Sequence, residues 1–424
     1  MQLKDLAPMK EWIIRPALMG LVFIILLLAL EFGLSKFDPN PKTFHIGERY
    51  ERDKYIGWKG ISDKEGYYKK GRVAQDFKIN SHGFRDKERT YEKKEGVFRI
   101  LVLGDSYTQA LQVPLEKTFP YILEEKLNSE GGKRFEVLNL GISGFGTDQE
   151  YLTLKYYGLK YHPDFVILQF FIGNDVINNS LILESRANGV SIDDESKSKP
   201  FFILNAGKLE ELPFKIKAST PNKGDVSGQF QIKYVLLRYS KKFFPNIFYS
   251  LEDRIKGTPW MANLSWKIGI KKSKPELHKN EFSIFYRIYA EEYTPEWEDA
   301  WEITEALILK LAGELERDKI GFLVVVIPNE FEFRPDKWNK ILDEYPQMRS
   351  IKFDLRKPER ILSNFFDTNK IDYLLLRPEF EKYSRETGKR LHFPYKYENH
   401  WNTEGHALAA QLIYDKLTEN KLVK

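Results

Sequence analysis

This 424-residue sequence predicts an α/β protein, a parallel sheet of five strands covered by helices on both faces, preceded by one transmembrane helix and interrupted by a large insertion. Three observations predict it. Short runs at 98–104, 135–140, 165–171 and 322–327 are apolar at nearly every position, as strands buried on both faces are. Segments of helical periodicity separate them, as the crossovers between parallel strands require. Polar residues able to do chemistry stand just beyond several of the runs, where an open parallel sheet binds its ligands.

In chain order, residues 1–42 read as a cytoplasmic leader and membrane anchor. Residues 17–30 contain no polar side chain, with Trp12, Ile13 and Ile14 before them and Phe32 and Leu34 after. Counted to Leu34 the segment is about 23 residues, enough to cross a bilayer with Arg15 and Glu31 reaching the two interfaces. Lys4, Lys10 and Arg15 precede it and only Lys36 and Lys42 follow closely, a bias that keeps the N-terminus in the cytoplasm and puts the bulk of the chain outside. A cleaved signal peptide is the alternative, because Gly33 and Ser35 have the spacing of a cleavage site. Either reading exports the protein.

Residues 43–95, polar and aromatic with Gly57, Gly60, Gly66, Gly71 and Gly83, read as a lead-in that wraps the core. The first part of the core, 96–177, alternates strand 98–104, helix 116–127, strand 135–140, helix 148–158 and strand 165–171. Residues 178–293 are polar, Lys-rich and aromatic without a strand-helix unit and are expected to be an insertion or cap. The pattern returns over 294–424. Thr294-Pro295 opens a helix to Arg317 with Trp297, Trp301, Thr304, Ile308, Leu311 and Leu315 on one face. A strand at 322–327, a fifth at 371–376 and a last helix from just after His400 through His406 to about Leu417 complete it.

Composition narrows the chemistry. With 42% hydrophobic and 30% charged residues the chain fills a core and solvates its surface. A net charge of +5 spread over this length is no stripe for a phosphate backbone, so nucleic acid is not an expected partner. The absence of cysteine removes thiolate nucleophiles, disulfides and zinc ribbons, leaving oxygen and imidazole. No cofactor or metal is called for, and protein partners are not legible.

The strand ends carry Gly104-Asp105-Ser106, the turn Gly141 to Gly146, Gly173-Asn174-Asp175, and, before the last helix, Glu398-Asn399-His400. A hydroxyl nucleophile, a glycine turn, a neutral amide and a histidine near a carboxylate are the parts of an acyl-transfer site. Each has a plainer reading. Gly-Asp-Ser is an ordinary turn, Asn174 suits a helix N-cap, and His406 suits packing. Gly141, Gly144 and Gly146 do not follow the dinucleotide fingerprint, His400 and His406 lack a metal spacing, and Asp193-Asp194-Glu195 reads as a solvated loop. The four blocks together, each at a strand or helix boundary, favour catalysis.

In that order the blocks resemble those of the SGNH, or GDSL-type, hydrolase superfamily, and Asn80-Ser81-His82-Gly83-Phe84-Arg85-Asp86 is similar to the lead-in of its membrane-anchored bacterial branch, which includes O-acetyltransferase and esterase members. The resemblance covers about 80–416 and is silent over roughly 178–293. It implies a flavodoxin-like three-layer α/β/α domain, Ser106 as nucleophile, His400 as general base, and an oxyanion hole from the Ser106 and Gly144 N–H groups with the Asn174 amide. The family's usual acid lies three residues before the histidine, where this chain has Tyr397. Glu398, two before, is the expected substitute, since some anchored members, including those similar to alginate-type O-acetyltransferases, use Asp-x-His. The expected function is a serine esterase or O-acyltransferase acting outside the membrane on an acylated small molecule or glycan. A lipid esterase and a non-catalytic glycan-binding or assembly module are the alternatives.

Overall fold

A computed structural model describes residues 19–23, 25–26, 49–70, 73–129, 131–190, 192, 198–214, 282–394 and 399–423. The chain divides into two compact units, Met1–Pro41 with Thr220–Lys279, and Lys42–Ser219 with Asn280–Lys424. In the first, the described residues 19–23 and 25–26 are helical with exposed apolar side chains. Most of the expected membrane span lies outside the described residues, and among those described no helix is long and apolar enough to cross a membrane.

In the second unit the lead-in forms two antiparallel hairpins, β1 (Tyr50–Asp53) with β2 (Gly57–Gly60), and β3 (Glu65–Lys70) with β4 (Val73–Lys78). The core follows as β5 (Val97–Leu103), α1 (Ser106–Gln109), α2 (Phe119–Ser129), β6 (Arg134–Asn139), α3 (Thr147–Tyr156), β7 (Phe165–Phe171), α4 (Asp175–Asn179) and α5 (Leu181–Asn188). A hairpin of β8 (Phe201–Asn205) and β9 (Lys208–Leu212) comes next. Then come α6 (Pro295–Arg317), β10 (Gly321–Ile327), α7 (Glu330–Phe333), α8 (Pro335–Glu344), α9 (Lys357–Asn369), β11 (Tyr373–Leu375), α10 (Arg377–Thr387) and α11 (Thr403–Glu419).

The five expected strands form one parallel sheet in the order β11-β10-β7-β5-β6. Numbered by chain position this is 2-1-3-4-5 read from the other edge, the flavodoxin-like order. Alternation along the strands makes two cores. Leu101 and Leu103 of β5, Val166, Leu168 and Phe170 of β7, and Val324 and Val326 of β10 face the buried stripe of α6, which includes Trp297, Trp301, Ile308, Leu311 and Leu315. Ile100, Val102, Ile167, Leu323 and Val325 face Leu123 of α2, Phe380 of α10, and Ala409 and Ile413 of α11. Each such Leu, Ile or Val contributes about 1.5–3 kcal/mol by leaving water, so these two faces hold the sheet in its layers.

The differences from expectation are local. The helix expected from 116 begins instead at Phe119, after a single 3-10 turn at Leu115–Lys117, because Pro120 has no N–H to bond and its ring would strike the carbonyl of Glu116 in a longer helix. The fifth strand shortens to Tyr373–Leu375, since it pairs with β10 alone and Leu376 has already turned helical ahead of Pro378. The stretch expected to begin an insertion at Asn178 carries α5 and the β8–β9 hairpin, both in the same compact unit as the sheet and both meeting α6.

Candidate active site

Ser106 stands three residues beyond the end of the interior strand β5, at the first position of the four-residue helix α1. Asp105 caps that helix, its Oδ1 accepting the Tyr107 N–H at 2.8 Å. Burial pushes the Asp105 carboxyl up, opposed by that N–H and by the nearby His400. Three further elements hold the turn. Gln169 of β7 accepts from the Asp105 N–H at 3.2 Å and from Thr108 Oγ1 at 2.7 Å. Asn139 of β6 donates to the Thr108 carbonyl at 2.7 Å. Arg85 of the lead-in donates to the carbonyls of Gln109, Ala110 and Val113 at 3.0, 2.5 and 2.6 Å, closing the C-terminal end of α1. The guanidinium is buried, and burial lowers its pKa to about 10. Gly104 must be glycine: a Cβ there would lie 2.3 Å from Thr108 Oγ1 and 2.5 Å from Gln169 Oε1.

His400 lies 294 residues away in sequence, and its Nε2 is 2.7 Å from Ser106 Oγ. With the ring proton on Nδ1 the hydroxyl donates to Nε2, the arrangement a general base requires. The loop that carries the histidine is fixed by packing and by a short antiparallel bridge, in which the His400 carbonyl accepts from the Phe393 N–H at 2.9 Å and the Asn402 N–H donates to the Leu391 carbonyl at 3.0 Å. Trp401 is buried against Tyr107, Phe119 and Phe380, with ring centroids 5.1, 6.2 and 5.3 Å away. Tyr107 also lies over His400 at 4.8 Å and donates through its hydroxyl to the Asn399 carbonyl at 3.0 Å. Asn402 then caps α11. The expected acid, Glu398, and the neighbouring Tyr397 lie outside the described residues, as do Asp193, Asp194 and Glu195.

The glycine turn and the amide come to the same rim. Ile142 N–H bonds the Gly104 carbonyl at 3.1 Å, and Ser143 reaches Gln109 of α1 through its N–H and its hydroxyl. Gly144 has φ +81°, a left-handed conformation that favours glycine, and its N–H makes no hydrogen bond among the described residues. Asn174 precedes α4 beyond β7, its Nδ2 3.5 Å from the Phe145 carbonyl, so it stands over the Gly144 loop. The site therefore opens at the carboxyl ends of β5 and β7, where the strand order reverses.

Behind the loop lies a buried acidic cluster. Asp148 pairs with Lys199 at 2.5 Å, both fully buried, and burial pushes the Asp148 carboxyl up against that attraction. Burial, with the charges of Asp105 and Asp148 and, for Glu150, of Asp175 too, holds Glu150 and Asp175 well above the ordinary carboxylate range. His392 and His406 are buried and neutral, lowered to about 3 by burial. His406 stacks on Phe119 and packs against Trp401. Among the described residues no group of three or more His, Asp or Glu side chains could hold a metal.

Several residues of this site were missed by sequence reasoning. Gln169 had a signal, since a lone amide in an otherwise apolar, fully buried strand asks for a partner, and Asn139, at the buried end of a half-polar strand, had a weaker one. Gln109, Lys199 and Trp58, whose indole N–H donates to the Ser143 carbonyl at 3.3 Å, had none.

No family model and no curated protein matches the chain. Among solved structures it is similar to the acetyl xylan esterase AlAXEase, with 14% identity over 75% of this chain and 98% of that one and a TM-score of 0.38. It is also similar to the lipase/acylhydrolase from Enterococcus faecalis, with 12% identity over 76% and 96% and a TM-score of 0.35. A two-domain esterase (CEX) active on acetylated mannans matches with 14% identity over 77% of this chain and 50% of its own, TM-score 0.35.

Proposed function

We propose that this protein is a serine-dependent ester hydrolase or O-acyltransferase of the SGNH type, anchored by its N-terminal segment and acting outside the membrane on an acylated glycan. The observation that carries the chemistry is the 2.7 Å contact between His400 Nε2 and Ser106 Oγ beyond the carboxyl end of strand β5 in a parallel sheet. His400 takes the Ser106 proton as Oγ bonds to the ester carbonyl carbon. The oxyanion so formed accepts from the N–H groups of Ser106 and Gly144 and the Asn174 amide. The bond to the alcohol oxygen breaks and His400 returns its proton to the departing alcohol. Water, or a glycan hydroxyl, then attacks the acyl-enzyme with His400 taking its proton, and collapse releases Ser106, which takes that proton back. Glu398 is the carboxylate proposed to orient His400. The glycan, the export and the anchor rest on the apolar 12–34 segment, its basic leader and the aromatic content of the chain.

A fluorophosphonate probe tests the chemistry. The full chain should be labelled on Ser106, and Ser106→Ala should abolish both labelling and cleavage of an acetate ester while the folded structure and Tm persist. An unlabelled wild-type protein, or a variant with activity within a few-fold of wild type, would overturn the assignment and favour a binding module.

A further inference from the structure

The oxyanion donor of the proposed site depends on a residue from the lead-in, which precedes every block of the catalytic pattern. The N–H of Gly144 belongs to the same planar unit as the carbonyl of Ser143, and in a trans peptide the two point in opposite directions. The chain has no cis peptide bond among the described residues. Whatever holds the Ser143 carbonyl therefore aims the Gly144 N–H.

That carbonyl accepts from the indole Nε1–H of Trp58 at 3.3 Å. The ring is half-buried, with its edge toward Phe145 at 5.4 Å, and its Cζ2 is the atom that a Cβ on Gly144 would meet, at 3.6 Å. Trp58 is itself fixed. It lies in β2 opposite Arg52 of β1, and the turn before it is tied to α3 by the Gln149 side chain donating to the Ile56 carbonyl at 2.7 Å. The other side of Ser143 is held as firmly. Gln109 Oε1 accepts from the Ser143 N–H at 3.2 Å, from Ser143 Oγ at 2.6 Å and from the hydroxyl of Tyr50, in β1, at 2.6 Å. The Gly144 carbonyl beyond accepts from Asn178 Nδ2 at 3.3 Å. Both carbonyls flanking the Gly144 N–H are engaged, while that N–H is left without a partner among the described residues.

The geometry points to Trp58 as a positioning residue for the oxyanion hole: its indole N–H turns the Ser143–Gly144 peptide so that the Gly144 N–H faces the developing oxyanion. This deepens the esterase reading and rests on it. Indole donates and does not accept, so the contact has one direction and is lost if the nitrogen is removed. A glycine at φ +81° has no Cβ to resist rotation of the peptide, so an outside donor sets its orientation.

The test is Trp58→Phe in the full chain, which deletes the donor and keeps an aromatic ring against Phe145. Hydrolysis of a chromogenic acetate ester should lose about 5- to 30-fold in kcat, with KM within two-fold. That is a smaller loss than deleting an oxyanion donor outright, because the Gly144 N–H remains and only its aim is relaxed. Affinity for a boronate, whose tetrahedral adduct on Ser106 mimics the oxyanion, should fall by the same factor. If Trp58→Phe fails to fold, β-(3-benzothienyl)alanine incorporated at position 58 replaces the N–H by sulfur at nearly constant shape and should give the same paired loss. Equal kcat and boronate affinity in wild type and variant would overturn the proposal. So would a change confined to KM, which would make Trp58 a substrate contact. Failure of the wild-type chain to react with a fluorophosphonate at Ser106 is a separate result, and removes the esterase reading itself.

Discussion

The two halves of the proposed dyad are held in place by different balances of directed bonds and packing. Ser106 is surrounded by directed bonds: Gln169, Asn139, Arg85 and Asp105 each fix a backbone group within a few residues of it. His400 is held by a short backbone bridge and by shape. Its carbonyl accepts from the Phe393 N–H at 2.9 Å and the Asn402 N–H donates to the Leu391 carbonyl at 3.0 Å, while Trp401 between them is buried among Tyr107, Phe119 and Phe380. A hydrogen-bond network distributes control over many weak links, whereas one large side chain in an aromatic pocket concentrates it. On the histidine flank Trp401 is therefore the single side chain whose loss removes the most packing.

Trp401→Ala is the severest way to break that contrast. It should cost about 3–5 kcal/mol, as large-to-small changes of buried aromatics do, and reduce kcat by orders of magnitude. Urea unfolding measured beside steady-state kinetics checks both. A variant with a normal midpoint and normal kcat would show the loop to be held by something other than Trp401.

On the nucleophile flank Arg85→Met should cost less, about 1–3 kcal/mol. It strips the donor from three carbonyls, and the relief of no longer burying a guanidinium offsets part of that loss. Because the C-terminal end of α1 would then be held only by Asn139, the Val113 N–H and the αL residue Ala110, kcat should fall more than stability alone explains. Equal fluorophosphonate labelling rates for variant and wild type would refute this clamp.

Glu150→Gln sharpens the comparison with the smallest effect, and its sign is opposite. The unfolded glutamate ionises above its ordinary value of 4.5, while burial and the neighbouring Asp175, Asp105 and Asp148 push the folded carboxyl well above that range. The contribution of Glu150 to stability is fully present below that pH and is lost as pH rises toward the folded pKa, at up to about 1.4 kcal/mol per unit. The amide has no such loss. Thermal melts should show variant and wild type nearly equal at pH 4.5, with the variant a few degrees more stable at pH 7.5. A difference independent of pH would mean that Glu150 is ionised in the folded protein.

By itself the sequence determined the parallel sheet, because apolar runs of strand length and the amphipathic face of Pro295–Arg317 are periodic signals written within a few turns of chain. It also determined that Ser106, Gly144 and Asn174 would follow successive strands, since a residue after a strand is placed by that strand's own boundaries. Tertiary structure alone decided the partners. That His400 meets Ser106 across 294 residues, that Gln109 receives Tyr50 and Ser143, that Trp58 bonds the Ser143 carbonyl and that Lys199 answers Asp148 are all contacts between distant segments. A hydrogen bond between such segments has no period. Its two ends look like any other Trp, Gln or Lys until the sheet brings them within 3 Å or so, because directionality acts only after packing has fixed where each donor and acceptor stands.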